Sequence, residues 1–232
     1  MRQILAALLV GHGAENALLQ RLCTACTQAL PVSGVGLTLT VGVGHGGTVA
    51  SSNGPAAVLE DLQYDLGEGP CLEASRDGRP VLQSDLARTG LSRWPAFTAA
   101  AAGAGIAAVF AFPLQVGAIH LGVLNLYRDL PGVLGRAELA EALAFAEAAS
   151  TIVLHLQDGT PPGMELHPRL ADAVESRREV HQATGMITVQ ARVGLTEALL
   201  LLQGHAYGSG RPVLDVARDV VARRLRFSPV HD

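Results

Sequence analysis

The sequence predicts an α+β protein, a sheet flanked by helices and followed by a small bundle of three helices. Three observations carry this reading. Strand-like runs of period two and helical runs of period near 3.6 alternate irregularly over the first 157 residues, without a regular βαβ repeat. The stretch Asp158-Gly159-Thr160-Pro161-Pro162-Gly163 then sets prolines and glycines where neither helix nor strand can continue. Beyond it, helical periodicity returns three times with glycines between. The chain divides into a domain at 1–157, a linker at 158–167 and a second domain at 168–232.

Taken in order, Ile4 to Val10 reads as a helical turn or two packed on the first domain. It is too short an apolar run, and too poor in a cleavage site, for a signal peptide. Leu18, Leu19, Leu22, Cys26 and Leu30 recur at helical spacing until Pro31 ends the pattern. Val35, Leu37, Leu39, Val41 and Val43 alternate with small residues, and Thr48 to Ser52 resumes extended character after a glycine cluster, so a hairpin is expected. Pro55 to Leu62 is a short helix, Asp65 to Pro70 a loop, Pro80 to Gln83 a strand. A helix begins near Trp94 and runs to about Gly103. Two longer strands, 106–113 and 118–127, close the sheet, and an alanine-rich helix spans 136–157 with Leu139, Leu143, Ala146, Ile152, Val153 and Leu156 as its stripe.

In the second domain a first helix runs from Pro168 to about Ala191, where Gly194 stops it. Thr196 is the expected cap of the next helix, which ends near Tyr207. Pro212 opens a third, whose Val213, Val216, Ala217, Val220, Val221 and Leu225 form one stripe.

With 49% hydrophobic and 16% charged residues the chain can bury a sizeable core. Its formal charge of −4 argues against a protein that coats nucleic acid throughout. All the basic residues are Arg, and they are unevenly placed: 8 against 14 acidic residues in 1–168, but 9 against 7 in 169–232. Three cysteines are too few for a disulfide framework and fit a reducing compartment. No stretch reaches the roughly 18 uninterrupted apolar residues of a membrane span, so a cytoplasmic protein is expected.

Local motifs argue mostly against chemistry. Gly42 to Gly47 matches a spaced-glycine nucleotide fingerprint, but a strand follows where that motif needs a helix. Cys23 and Cys26 lie inside a helix with no second pair to complete a zinc site. The histidines have no spacing that puts two ligands on one helix face, and there is no P-loop, nucleophile elbow or paired-carboxylate set. No metal, no cofactor and no enzyme activity are expected.

The second domain carries Arg178-x-x-His181-Gln182-Ala183-Thr184-Gly185-Met186-Ile187, then Thr196-Glu197-Ala198, Leu202-Gln203-x-x-Ala206 and Leu214-Asp215-Val216-Ala217-x-x-Val220-Val221. In type and spacing this resembles the ANTAR domain, a family of RNA-binding transcription antitermination modules. Leu66-Gly67-Glu68-Gly69-Pro70-Cys71-Leu72, Arg93-Trp94-Pro95-x-Phe97 and Leu121-Gly122-Val123-Leu124-Asn125-Leu126-Tyr127 resemble the GAF sensor domains that precede ANTAR in many actinobacterial regulators. The resemblance implies an antiparallel sheet in the first domain, a small ligand or redox signal sensed there, a homodimer, and stem-loops in nascent RNA as the partner. Helix 136–157, leaving the sensor toward the output, is the expected transmitting element.

On the RNA side, Ala183 and Gly185 are small enough to let a splayed base approach, and Arg177, Arg178, Gln182, Thr184, Gln203 and Arg211 supply charge and polar groups. Thr184 and Gln203 stand where many relatives carry a cation, which implies weaker phosphate attraction. On the sensor side Cys71, Trp94, Phe97, Phe112 and His120 are candidates to line a ligand pocket. Three other readings stay open: a thiol-dependent enzyme built on Cys71, a DNA-binding output, and a helical dimerisation bundle in which Asp219 and Arg223 form an ordinary ion pair.

Overall fold

A computed structural model of the protein describes residues 2–9, 18–41, 44–158, 170–171 and 177–228. The sensor part contains α1 (Arg2–Leu9), α2 (Leu18–Ala29), β1 (Gly34–Val41), β2 (Gly44–Ser51), α3 (Gly54–Leu66), α4 (Pro70–Asp77), β3 (Val81–Gln83), α5 (Leu86–Thr89), α6 (Pro95–Gly103), β4 (Ala108–Val116), β5 (Ile119–Arg128) and α7 (Arg136–Asp158). The output part contains α8 (Arg178–Ala191), α9 (Leu195–Ser209) and α10 (Val213–Val221). Part of the Gly42–Gly47 turn and most of the Pro/Gly linker lie outside the described residues, as does the start of the expected helix from Pro168.

All strand pairs are antiparallel, in the order β2-β1-β5-β4-β3. Strict alternation gives the sheet two buried faces. Leu37, Leu39, Phe110, Phe112, Leu114, Leu124 and Leu126 point to one face, where α2 and α7 cover them. Val109, Ala111, Val123 and Tyr127 point to the other, under α3, α4 and α6. Both faces being covered explains why β4 and β5 read as nearly continuous apolar runs.

Local chemistry sets the helix ends on the second face. Asn53 caps α3 by accepting from the Ala56 N–H at 2.9 Å, and Pro55 sits in the first turn. Gly67 closes α3 in the left-handed region at φ +66°, where a side chain would be strained. Helix α4 falls in a stretch that sequence patterning leaves as a gap. Only eight residues long, it has an N-cap without a side chain, Gly69, and carries only a short apolar face.

Helix α7 packs back onto its own sheet. Ala146, Ile152, Val153 and Leu156 of its stripe are buried there, while Leu143 is 41% exposed. The bundle's main contact with the sensor runs through α3, while α7 shares its core cluster with Leu170 of the second domain. Helix α7 is the one helix among the described residues long and apolar enough to span a membrane, and half of that apolar window is buried inside the fold.

The bundle packs around Val180, Ala183, Ile187, Leu202, Ala206, Val213, Val216, Ala217 and Val220. Helix α8 ends at Arg192, which takes the left-handed conformation, and α9 begins at once with Gly194 as its N-cap. Thr196 therefore lies inside α9 and is not its cap. Glu197 reaches back to accept from the Gly194 N–H at 2.9 Å, supplying the half of a capping box that needs no N-cap side chain.

Candidate nucleic-acid interface and sensor site

Helix α8 buries Val180, Ala183, Thr184, Ile187 and Ala191 and turns its opposite side outward. There Gln182, Gly185, Met186, Val189 and Gln190 line a groove of about 460 Å³, with Arg223 and Arg226 from the segment after α10 on its other wall. That volume falls in the ~300–1,000 Å³ range of small-molecule clefts. Gly185 leaves the wall bare, for a Cβ placed there would meet nothing within 4 Å. Val189 is 80% exposed, an apolar side chain offered to solvent. Gln190 Oε1 accepts from the Phe227 N–H at 2.9 Å, which pins the segment carrying Arg226 to α8.

The predicted RNA-contacting residues divide sharply. Gln182 and Gly185 line the groove, and Arg178 is exposed on the same helix. Ala183 is fully buried: it faces the other helices, and its small size serves close helix packing instead of a base. Thr184 is 7% exposed, and its hydroxyl donates to the Val180 carbonyl at 2.8 Å. Arg211 is committed to Asp219 at 2.8 Å. Asp219 also takes Arg224 at 2.6 Å, in place of the Asp219–Arg223 pair of the dimerisation reading, and Arg223 turns to the groove. Two arginines hold the Asp219 carboxyl below the usual range, by hydrogen bonds first and charge second. Sequence spacing missed Arg223 and Arg226 because they follow the last helix, where no periodicity signals a face.

Arg177 and Gln203 belong to a different surface. Arg177 pairs with Asp61 of α3 at 3.1 Å and lies over the Tyr64 ring at 3.4 Å. Gln203, 7% exposed, donates through Nε2 to the Tyr64 carbonyl at 2.7 Å. Tyr64 itself is part of the bundle's buried cluster. Both residues hold the two domains together.

In the sensor, Cys71, Trp94 and Phe97 share the cluster under α3, α4 and α6, and Trp94 and Phe97 meet edge to face at 6.5 Å. Phe112 lies on the opposite sheet face, since an even-numbered position of β4 points away from Val109 and Ala111. His120 is exposed near the β4–β5 turn. The five residues thus do not converge on one pocket.

What the same face does contain is a buried polar cluster that sequence reading did not single out. Glu60 of α3 is 3% exposed and accepts from Thr38 Oγ1 at 2.7 Å and from Asn125 Nδ2 at 2.9 Å. Burial pushes its carboxyl up to about 7, against the pull of these hydrogen bonds. Gln63 Oε1 accepts from the Cys71 N–H at 2.7 Å, while Gln63 Nε2 and Asn125 Oδ1 have no hydrogen-bond partner among the described residues. The signal available was Asn125, a polar residue in an otherwise apolar strand. Glu68 of the glycine-rich loop accepts from the Phe97 N–H at 2.8 Å, so that loop serves to join α4 to α6.

Cys71 is 1% exposed, and burial pushes its thiol well up, as it does for Cys23 at about 12 and for Cys26. Cys23 and Cys26 sit in the cluster on the other sheet face. This arrangement lacks the electropositive, accessible setting of a reactive thiolate.

An antiparallel five-stranded sheet with helices on both faces is joined to a three-helix bundle with an open groove. The GAF domain family matches residues 14–154, more than half of the chain, and the chain belongs to it; the ANTAR domain family matches residues 169–221. A sensory GAF domain followed by an ANTAR output domain makes the chain a signal-responsive regulator. No curated protein is significantly similar to it. Similar solved structures include the GAF domain of an Acinetobacter phosphoenolpyruvate-protein phosphotransferase, at 14% identity and TM-score 0.52 over 68% of this chain and 92% of that one. The GAF domain region of a Geobacter sulfurreducens membrane protein is 15% identical, with TM-score 0.51 over 61% and 93%. At such identities the likeness is one of fold alone.

Proposed function

We propose that the protein binds stem-loops in nascent RNA through the α8 groove and thereby prevents transcription termination, under the control of a small ligand or redox signal at the sensor. The observation that carries this reading is the groove itself. A bare glycine, amides from Gln182 and Gln190, exposed Val189, half-buried Met186, and two arginines on the facing wall suit an unpaired base beside its phosphates. The ANTAR match supports RNA as the partner. The homodimer belongs to the same proposal.

The test is a gel shift with a short RNA hairpin and a DNA duplex of matched length. Wild type is expected to prefer the hairpin, and R223A together with R226A to weaken it with a shallower salt dependence. Tighter binding to the duplex would replace the reading with a DNA-binding output. No binding to either would leave the bundle as a dimerisation module.

A further inference from the structure

Helix α3 is occupied on two sides. Toward the sheet it presents Glu60 and Gln63 to Thr38, Asn125 and the N-terminus of α4. Toward the bundle, its last turns hold all three output helices. Asp61 pairs with Arg177 at the start of α8, the Tyr64 carbonyl accepts from Gln203 of α9, and Asp65 lines one pocket with Pro212 and Leu214 at the start of α10. At Gly67, just past the helix, an added Cβ would collide with Gln203. One helix therefore joins the buried sensor cluster to the three output helices.

We propose that α3 is the transmission element of this protein, and that loss of the negative charge buried at Glu60 loosens its hold on the output bundle. The direction follows from Arg177. Burial raises the Glu60 carboxyl to about 7, and Arg177, brought close by the docked bundle, is among the groups that pull it down. Linkage is reciprocal: if a docked Arg177 favours ionised Glu60, ionised Glu60 favours the docked Arg177 to the same extent. The other titratable groups coupled to Glu60 are Asp61 beside it, Cys71 on α4 and Cys23 of α2 across the sheet. His181, next to Arg177, titrates on the bundle side.

Amide hydrogen exchange of the full chain tests this without RNA, so its outcome is separate from that of the RNA reading. Four chains are compared: wild type, E60Q, a released-bundle variant with D61N and Q203A, and the combination. E60Q is expected to speed exchange across 178–221 by about fivefold, the low end of allosteric couplings. The released-bundle variant should speed it further, with no added effect of E60Q. Unchanged exchange in E60Q overturns the proposal, and so does an equal increase in the released background, which would mean general destabilisation. Should E60Q disturb the sensor, seen in the emission of the single tryptophan, Trp94, wild type alone decides. Its bundle protection, corrected for intrinsic rates, must fall as pH drops through about 7, and a flat profile there overturns the proposal.

Discussion

Helices α3 and α8 meet at the junction of the two domains and are built on opposite plans. Helix α3 is used on both sides: Leu59, Glu60 and Gln63 are buried toward the sheet, and Tyr64 enters the core of the other domain. Helix α8 buries one side and leaves the other open, with Gly185 bare and Val189 largely in solvent. The contrast separates two ways for a helix to carry function. One acts through what it holds, the other through what it leaves uncovered.

Substitutions on adjacent turns of α8 give the sharpest break in that comparison. Ile187→Ala removes a fully buried side chain from the bundle core and is expected to cost about 2–5 kcal/mol in denaturant unfolding. On α3, the raised Glu60 carboxyl gives a pH dependence whose sign is fixed. Between about 4.5 and about 7 the unfolded chain is ionised while the folded one keeps its proton, so stability falls as pH rises and levels off above about 7. E60Q should lack that decline when sensor unfolding is followed by Trp94 fluorescence. Its size is about 1–3 kcal/mol, and an unchanged slope would place the titration elsewhere.

Gly185→Leu comes next. Open space at that position means the fold survives, with thermal stability equal to or above wild type, while hairpin affinity drops about tenfold or more, roughly 1.4 kcal/mol. Intact affinity would move the proposed face off α8. Val189→Ala should be the mildest for stability, within about 0.5 kcal/mol, because the side chain packs on little. Set beside Ile187→Ala, it separates groove from core by two residues of sequence.

Much of the architecture was legible in the residues. The strands β1, β2, β4 and β5, the helices α2, α3 and α7, and the stripe of α10 each follow from periodicity and punctuation, and the structure moves their ends by only a few residues. The site was legible only in part. Gln182 and Gly185 line the candidate groove, but Ala183 is core, and Arg177 and Gln203 bind the sensor. Small size and polarity are compatible with a groove, a helix crossing and a domain contact alike, and spacing within one helix does not choose among them.

By itself, then, the chain determined most of its elements and the resemblance of its two parts to known domains, since these rest on local conformational preference and on motifs read along the backbone. Tertiary structure alone decided which sheet face Phe112 enters, that Arg223 and Arg226 come to face Gly185, and that α3 meets the output. Each of those outcomes pairs residues far apart in sequence. They depend on which surfaces pack together, and no single stretch of chain contains that information.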